Sequence, residues 1–491
     1  MKFPVIVWLR QELRLKDHPA LAAAGANGRA VILCFIRNTA TDRPWLPGAA
    51  SCWWLHHSLR EISQKVQNAG GKIVLCSGNP AEVITNIAIE SGASAVYWTN
   101  AIEPSDRKDE LLLRAELEKN AIGSEGFEGN LLFDPAEIKS QSGTPFRVFT
   151  PFWKNCLKAQ ASMRAVQQSS MPVFSQTALE SESLDSWNLL PERPNWAKQF
   201  DSVWQPGEDG GQAALSNFVH RAPDYEQDRN YPAKDNTSRL SPYLHFGNIS
   251  AAQAFAATNQ QNLTSEGALS FQRELGWREF CAHLLFHFPQ MPEKSFRPEF
   301  SKFPWIEDDN ALADWQKGCT GFPIVDAGMR QLWQTGWMHN RVRMVAASVL
   351  VKHLLVHWKH GQQWFWDTLV DADLASNSAG WQWVAGCGAD AAPYFRVFNP
   401  VLQGQKFDPD GDYIKQWVPE LMDLPKKYLH TPWLAPAEVL KDANLEIGKD
   451  YPAPLIQPDA GRKRALDALA QLKKLQADAI KTGRSTRRDN K

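Results

Sequence analysis

Short apolar runs rich in β-branched residues recur in the first quarter of the chain and then almost disappear. There are four such runs, at Val5–Leu9, Ala30–Ile36, Lys72–Cys76 and Ala95–Trp98. The segments between them have helical periodicity, as at 53–69 and 81–91. Strands that alternate with helices predict βαβ units and a doubly wound parallel sheet. We expect this α/β domain to end near residue 130.

The second half of the chain has a different pattern. Residues 165–210 are rich in Pro, Ser and Glu, which indicates a connector on the surface. Beyond it the apolar residues follow a helical period, and we predict helices at 251–262, 270–288, 326–358 and 461–480. The predicted organisation is an α/β domain at 1–130, a connector at 131–210, an α-helical domain at 211–480 and a basic tail at 481–491.

Composition excludes several classes of protein. The net charge is −1, so DNA binding would require a local basic surface. The seven cysteines contain no CxxC pair, so neither a disulfide framework nor a metal site is predicted. No GxGxxG follows the first strand and no GxxxxGK[ST] occurs, which leaves dinucleotide and P-loop sites unsupported. No apolar run is long enough to span a membrane, and we expect a cytoplasmic protein.

The most unusual polar segment is Asp371–Ala–Asp–Leu–Ala–Ser–Asn377–Ser–Ala–Gly–Trp381–Gln–Trp383. Two carboxylates at i and i+2, an amide and a Trp–x–Trp pair can bind a polar heterocycle beside broad aromatic faces. A hydrolase with paired carboxylates is the rival interpretation. We rank it lower because the neighbouring Asn and Trp residues suit ring binding better.

Two further blocks place polar and aromatic residues on one side of a helix. Glu274, Trp277, Arg278 and Cys281 follow the spacing i, i+3, i+4, i+7. Spacing alone favours a surface ion pair with the Trp beneath it; the alternative is a pocket wall on which a base stacks. In the second block, Asn340, Arg343 and Met344 share a helical face beside Arg341. These arginines either cover apolar surface or bind a carboxylate or phosphate.

The run Thr237–Ser238–Arg239–Leu240–Ser241 precedes a predicted helix. Hydroxyl groups and free backbone N–H groups at a helix N-terminus suit a phosphate. An ordinary N-cap is the commoner explanation of such a run.

Together these blocks closely resemble the DNA photolyase/cryptochrome family. The resemblance covers nearly the whole chain, from Val7–Trp–Leu–Arg–Gln–Glu–Leu–Arg–Leu–Lys–Asp17 to Trp417–Val–Pro–Glu–Leu421. It is strongest to the bacterial class I and class III photolyases of cyclobutane pyrimidine dimers (CPDs). It implies an N-terminal antenna domain and a helical domain that binds a U-shaped FAD. The residues implied at the FAD are Tyr225, Thr237, Ser238, Leu240, Ser241, Arg278, Asn340, Arg343, Asp371, Asp373 and, beside flavin N5, Asn377.

The same resemblance implies a carbon–carbon lyase that acts on UV-damaged DNA. Under light, reduced FAD would pass an electron to a flipped-out dimer, the dimer would split, and the electron would return. The residues implied at the dimer are Glu274, Trp277, Asn340, Arg341, Met344, Trp383 and Gln403. Trp305, Trp358 and Trp381 match the family's tryptophan chain, which photoreduces FAD. No metal and no obligate protein partner is implied, and we expect a monomer.

Several alternatives stay open within the family. Plant cryptochromes usually carry Asp where this chain has Asn377, and (6-4) photolyases generally place a histidine pair at the lesion, where this chain has Asn340–Arg341. Ser105–Asp106 stands where folate-binding photolyases often have Asn–Glu, which leaves a folate held differently, a deazaflavin or an empty antenna site. A flavin-free helical nucleic-acid-binding protein is the interpretation from outside the family.

Overall fold

The computed structural model describes residues 3–41, 43–168, 170–260, 265–391 and 395–488. The chain divides into two compact units. Unit 1 comprises residues 1–227, 236–289 and 370–376, and unit 2 comprises residues 228–235, 290–369 and 377–491. Each unit is therefore assembled from separate stretches of the sequence.

A parallel sheet of five strands lies in unit 1, in the order β3-β2-β1-β4-β5. The strands are β1 (Val5–Leu9), β2 (Val31–Arg37), β3 (Ile73–Ser77), β4 (Ala95–Thr99) and β5 (Gly123–Phe127). The central β1 pairs in register with β2 and β4, so the chain winds first to one side and then to the other. The predicted doubly wound sheet and its first four strands are confirmed; β5 was not predicted.

The first ten helices in chain order include those that cover the sheet. They are α1 (Pro19–Gly25), α2 (Ala49–Asn68), α3 (Pro80–Ser91), α4 (Pro104–Lys119), α5 (Phe149–Lys158), α6 (Glu208–Arg221), α7 (Tyr225–Asp228), α8 (Ser241–His245), α9 (Ala251–Gln260) and α10 (Glu266–His287). Ile84 of α3 and Leu113 of α4 pack with Val96 and Trp98 of β4 in a buried apolar core. The predicted helix over 251–262 ends at Gln260, and its last two residues lie outside the described ones.

After α10 the described chain forms further helices joined by loops. It forms α11 (Asp309–Lys317), α12 (Pro323–Thr335), α13 (Asn340–Ser348), a π-helical turn (Val349–His353), α14 (Trp358–Thr368), α15 (Leu374–Ala385), α16 (Pro400–Phe407), α17 (Asp412–Trp417), α18 (Lys426–Leu429), α19 (Ala437–Asp442) and α20 (Pro458–Arg488). None of the helices in these described residues is long and apolar enough to span a membrane.

Two sequence-based boundaries need correction. The stretch 326–358 is not one helix, because Gly336 ends α12 in the left-handed region at φ +67° and His339 caps the start of α13. The helix predicted over 461–480 begins at Pro458 and continues to Arg488. Residues 481–488, expected as a frayed tail, are thus helical, and 489–491 lie outside the described residues.

Candidate functional site

In unit 1, a turn with a left-handed residue precedes α8. It brings the hydroxyl-rich segment 237–241 next to the acidic segment 371–373. Arg239 has φ +50°, and the N–H of Leu240 bonds to Oγ of Ser238 at 3.4 Å. Ser241, the first residue of α8, donates its hydroxyl to Oδ2 of Asp371 at 2.6 Å. Two candidate blocks that are 130 residues apart in the sequence therefore meet in the structure.

Asp373 is held as an ionised acceptor. Its Oδ1 accepts from the N–H of Ser376 at 2.7 Å, and its Oδ2 lies 3.6 Å from Nδ1 of His245. Burial would raise the pKa of this carboxyl, but His245 and the positive charge of Arg278 outweigh it and hold the pKa well below its usual range. At neutral pH the group accepts hydrogen bonds and donates none.

Arg278 acts as a clamp inside unit 1. Its guanidinium donates to the carbonyls of Asn130 at 2.8 Å and Leu244 at 3.2 Å. It also lines a cavity with Asp373 and Glu103. Arg278 therefore contributes charge to Asp373 while it ties α10 to two other segments.

Two of the predicted aromatic residues are packed by other rings of unit 1. Trp277 lies parallel to Phe149, with ring centroids 3.8 Å apart and an interplanar angle of 9°. Tyr225 is buried, with its ring edge-on to Phe218 at 5.4 Å and to Phe271 at 5.9 Å. Stacking on Phe149 fixes the plane of Trp277 without a hydrogen bond. Glu274, one turn earlier on α10, is half-buried.

In unit 2, the first turn of α13 presents the predicted lesion residues. Asn340 is exposed, and Arg341 donates from Nη2 to Oδ1 of Asn230 at 2.5 Å. The Arg341 guanidinium lies 4.4 Å from the ring centroid of Phe407, and its Nη1 is 3.9 Å from Sδ of Met344. A cation on an aromatic face keeps its orientation and its charge.

Further basic and aromatic side chains surround this turn, and together they form what we name the Arg341 patch. Its members are Arg229, Asn230, Tyr231, Lys234, Arg341, Lys406 and Phe407. Lys234 lies 5.2 Å from the centroid of Tyr231, Lys406 lies 5.2 Å from that of Phe407, and the two rings are 6.5 Å apart. Burial and the neighbouring charge of Arg229 lower the pKa of Arg341. Crowded cations of this kind favour an anion such as phosphate.

The patch shows what sequence patterns could not reveal. Its members come from three stretches of sequence more than sixty residues apart, and all except Arg341 lie outside the motifs described above. Tyr231 and Phe407 carry no pattern that predicts their contact. Only Arg341 was predicted as a site residue.

A buried histidine fixes the start of α13. His339 caps the helix, because its Nδ1 accepts from the N–H of Arg341 at 3.1 Å. Burial, together with Arg341 and Arg343, lowers the pKa of His339 to about 3, so the ring is neutral at physiological pH. Arg343 donates from Nε to the carbonyl of Met338 at 2.7 Å. The backbone that carries Asn340 and Arg341 is therefore held from both sides.

The part of α15 in unit 2 carries three of the predicted residues. The Nδ2 group of Asn377 donates to the carbonyl of Gln362 at 3.0 Å, which directs the amide oxygen away from that contact as an acceptor. Trp381 is buried and Trp383 is half-buried. Gln403 is half-buried on α16.

The other two tryptophans of the predicted chain also lie in unit 2. Trp358 begins α14 and is 1% exposed, whereas Trp305 is half-buried in the segment before α11. Trp381 packs edge-on to Phe365 at 5.0 Å and to Trp315 at 6.0 Å.

Comparison with known proteins matches two regions of the chain. A family model described as DNA photolyase matches residues 5–172, and one described as the FAD binding domain of DNA photolyase matches residues 271–471. A deoxyribodipyrimidine photo-lyase of Agrobacterium fabrum is 46% identical, covering 96% of this chain and 98% of its own length. The chain belongs to the DNA photolyase family.

A solved structure and a plant relative extend the comparison. The crystal structure of a bacterial class III photolyase from Agrobacterium tumefaciens superimposes with a TM-score of 0.92 at 46% identity, covering 96% of this chain and 98% of that one. Cryptochrome-2 of Arabidopsis thaliana is 36% identical over 96% of this chain and 79% of its own length. The predicted family and fold class, a parallel-sheet domain followed by a helical FAD-binding domain, are confirmed.

Proposed function

We propose that this photolyase-family chain is a deoxyribodipyrimidine photolyase that splits CPDs in DNA with light and reduced FAD. The observation that carries the proposal is the exposed Asn340–Arg341 pair on α13, set in the Arg341 patch of a chain 46% identical to a photolyase. An amide and a guanidinium side by side suit a base edge and a neighbouring phosphate. The protein's task is to orient a flipped-out dimer and to exclude water.

Polar groups of unit 1 suit FAD. Asp371 and Asp373 supply carboxylate oxygens for hydroxyl and ring N–H groups, and Ser238 and Ser241 supply hydroxyls near the start of α8. The residues we assign to the cofactor are Tyr225, Thr237, Ser238, Leu240, Ser241, Arg278, Asn340, Arg343, Asp371, Asp373 and Asn377. When bound, FAD supplies the electron for dimer cleavage. The protein's residues orient its rings and neutralise its charge.

Asn377 is assigned to flavin N5. Its Nδ2 is engaged by Gln362, so the amide oxygen is the group that faces other partners. A carbonyl oxygen accepts from the N5–H of a reduced flavin but offers no proton to an oxidised N5. The geometry therefore supports retention of the reduced cofactor.

The proposed lesion residues divide by chemistry. Glu274 and Asn340 would hydrogen-bond the dimer, and Trp277 and Trp383 would pack against it. Trp277 is already held flat by Phe149, so binding a base on that ring requires little further ordering. Arg341, Met344 and Gln403 complete the set.

An antenna chromophore stays a prediction. Asp106, which stands in the segment where folate-binding relatives often have Asn–Glu, is held in an ion pair by Arg43, and Arg43 also binds Asp109. An engaged carboxylate is not available to the edge of a folate ring. We therefore propose that any antenna molecule binds elsewhere, which acid release and chromatography of bound pigments would test.

The decisive experiment follows loss of the dimer. Purified, reduced protein is mixed with an oligonucleotide that contains one thymine cyclobutane dimer, and the dimer is quantified under blue light and in darkness. Loss only under light is the expected result. No loss, with flavin bound and reducible, would contradict the proposal, and a parallel oligonucleotide with one (6-4) photoproduct would detect the other repair activity.

A blue-light photoreceptor is the second candidate, favoured by the 36% identity to cryptochrome-2. Asn377 argues against it, because plant cryptochromes usually carry Asp there. A photoreceptor would bind FAD and respond to light without splitting the dimer, so the same experiment separates the two functions.

A further inference from the structure

Helix α14 begins beside all three tryptophans assigned to photoreduction. Trp358 is its first residue, His357 is its N-cap and Gly361 lies one turn further on. Residues three apart on a helix face the same side. Trp358 and Gly361 therefore face the same side of α14, and His357 lies at the N-terminus of the same turn.

The ring of His357 connects two of the tryptophans. Its centroid lies 5.0 Å from that of Trp305 and 5.4 Å from that of Trp358, at interplanar angles of 64° and 30°. These are ordinary distances for aromatic rings in contact. An unsaturated ring thus joins the half-buried Trp305 to the buried Trp358.

Gly361 makes the second contact. A Cβ atom at this position would overlap Cη2 and Cζ3 of Trp381. The edge of the Trp381 indole therefore rests directly on the backbone of α14, one turn from Trp358. Any larger residue at 361 would push this indole away from the helix.

The charge at His357 is also favourable. Burial, followed by the charges of His360 and Lys359, lowers the pKa of His357 to about 4, so the ring is neutral at pH 7. Its Nδ1 accepts from the N–H of Lys359 at 3.1 Å, and the Lys359 ammonium pairs with Glu293 at 3.0 Å. A neutral ring does not oppose positive charge on a neighbouring indole.

We propose that the first turn of α14 is the electron bridge of this photolyase: the His357 ring couples Trp305 to Trp358, and Gly361 brings Trp381 onto the same helix. The inference rests on the proposed function and on the tryptophan chain that the family resemblance implies, in which photoexcited oxidised flavin would oxidise Trp381. Trp358 gives one electron to the Trp381 radical cation. Trp305 then gives one electron to Trp358, which restores Trp358 and leaves the radical on Trp305. His357 is unchanged in both transfers. A soluble thiol finally gives one electron to Trp305, loses its proton to solvent and becomes a thiyl radical.

Two substitutions separate the ring of His357 from its role as a helix cap. His357→Asn keeps a capping side chain and removes the ring, whereas His357→Phe keeps a ring and removes the cap. Transient absorption should show loss of the Trp305 radical in His357→Asn and its retention in His357→Phe. A normal Trp305 radical in His357→Asn, or its loss in both variants, would overturn the role of the ring.

Gly361 has a matched control on α15. A methyl group at Gly380 would meet nothing within 4 Å, so Gly380→Ala tests the general cost of alanine beside Trp381. Gly361→Ala should slow photoreduction in the presence of thiol, and Gly380→Ala should leave it unchanged. Flavin content, measured by absorbance, is matched before the rates are compared. Equal photoreduction in both variants would overturn the role of Gly361.

Chemical reduction distinguishes this inference from the proposed function. After reduction with dithionite in the dark, the variants should split a dimer under light as the unmodified protein does, because the bridge serves only photoreduction. An unmodified protein that photoreduces its flavin but repairs nothing would refute the proposed function alone. Variants that lose repair even after chemical reduction would refute the bridge, since the damage would then lie in the flavin site.

Discussion

At the scale of single residues, we expect Asn377 to distinguish a photolyase from a photoreceptor. Its Nδ2 donates to Gln362, which leaves a carbonyl oxygen as the acceptor for its other partner. Asn377→Asp should shorten the lifetime of the reduced flavin, because a carboxylate repels a reduced, anionic ring. The measurement is the rate of reoxidation in air after photoreduction, with the exposed Asn68→Asp as the control. A rate equal to that of the unmodified protein would remove Asn377 from the flavin.

A second prediction at this scale concerns Glu279, which is buried and accepts from the N–H groups of Leu132 at 2.9 Å and Phe133 at 3.2 Å. Burial raises its pKa from 4.5 to about 7, although Arg278 opposes the shift. The stability it contributes is fully present below about pH 4.5 and is lost as the pH rises through about 7.

Glu279→Gln keeps an acceptor and cannot ionise. Relative to the unmodified protein, its free energy of unfolding should rise by about 3 kcal/mol between pH 5 and pH 9. Unfolding curves at a series of pH values would measure this difference. A difference between the two proteins that stays constant over the series would contradict the assigned titration.

At the scale of elements, α15 owes its position to one buried amide. Gln382 is fully buried between Trp381 and Trp383, and its Nε2 donates to the carbonyls of Met291 at 2.6 Å and Lys294 at 3.0 Å. Its Oε1 accepts from the N–H of Phe296 at 2.7 Å. One side chain thereby ties the segment 291–296 to the helix that carries both tryptophans.

Removal of that amide takes a hydrogen-bond partner from three backbone groups, of which those of Met291 and Phe296 belong to buried or half-buried residues. Gln382→Ala should therefore lower the free energy of unfolding by about 3 kcal/mol or more, which would appear as a lower unfolding midpoint in urea. The exposed Gln64, bonded to Asn68 on α2, provides a control in which alanine should cost less than about 0.5 kcal/mol. Equal midpoints for the two variants would refute the role of Gln382.

Elements also show where prediction from sequence succeeds and where it stops. β1 to β4 are continuous apolar runs, because strands covered on both faces need them. β5 reads Gly–Ser–Glu–Gly–Phe and pairs only with β4 at the edge of the sheet, so its sequence has no apolar run to detect. The apolar residues of the stretch 326–358 keep a helical period although the helix is interrupted. The interruption comes from Gly336, which ends α12, and from His339, which caps the start of α13.

The candidate site follows the same rule. Residues in short local motifs, such as Asp371 and Asp373, could be proposed because their chemistry is contiguous in the chain. The contacts of His357 with Trp305 and of Arg341 with Phe407 join distant segments. No periodicity or spacing encodes such contacts, so they required the structure.

At the scale of the whole molecule, the near-neutral charge determines how DNA must be bound. A net charge of −1 gives no general attraction to a polyanion, so under the proposed function we expect the affinity for DNA to come from the local field of the Arg341 patch. Dependence on salt should then reflect a few defined phosphate contacts rather than total charge.

Two variants with the same net charge test this distribution. Arg341→Gln removes a cation of the patch, and Lys449→Gln removes an exposed lysine paired with Glu446; each changes the net charge from −1 to −2. The slope of log K for damaged DNA against log salt should become about 0.9 shallower in Arg341→Gln, since one phosphate contact is lost. It should stay unchanged in Lys449→Gln. Fluorescence anisotropy at several salt concentrations measures both slopes, and equal changes would mean that total charge, not the patch, governs binding.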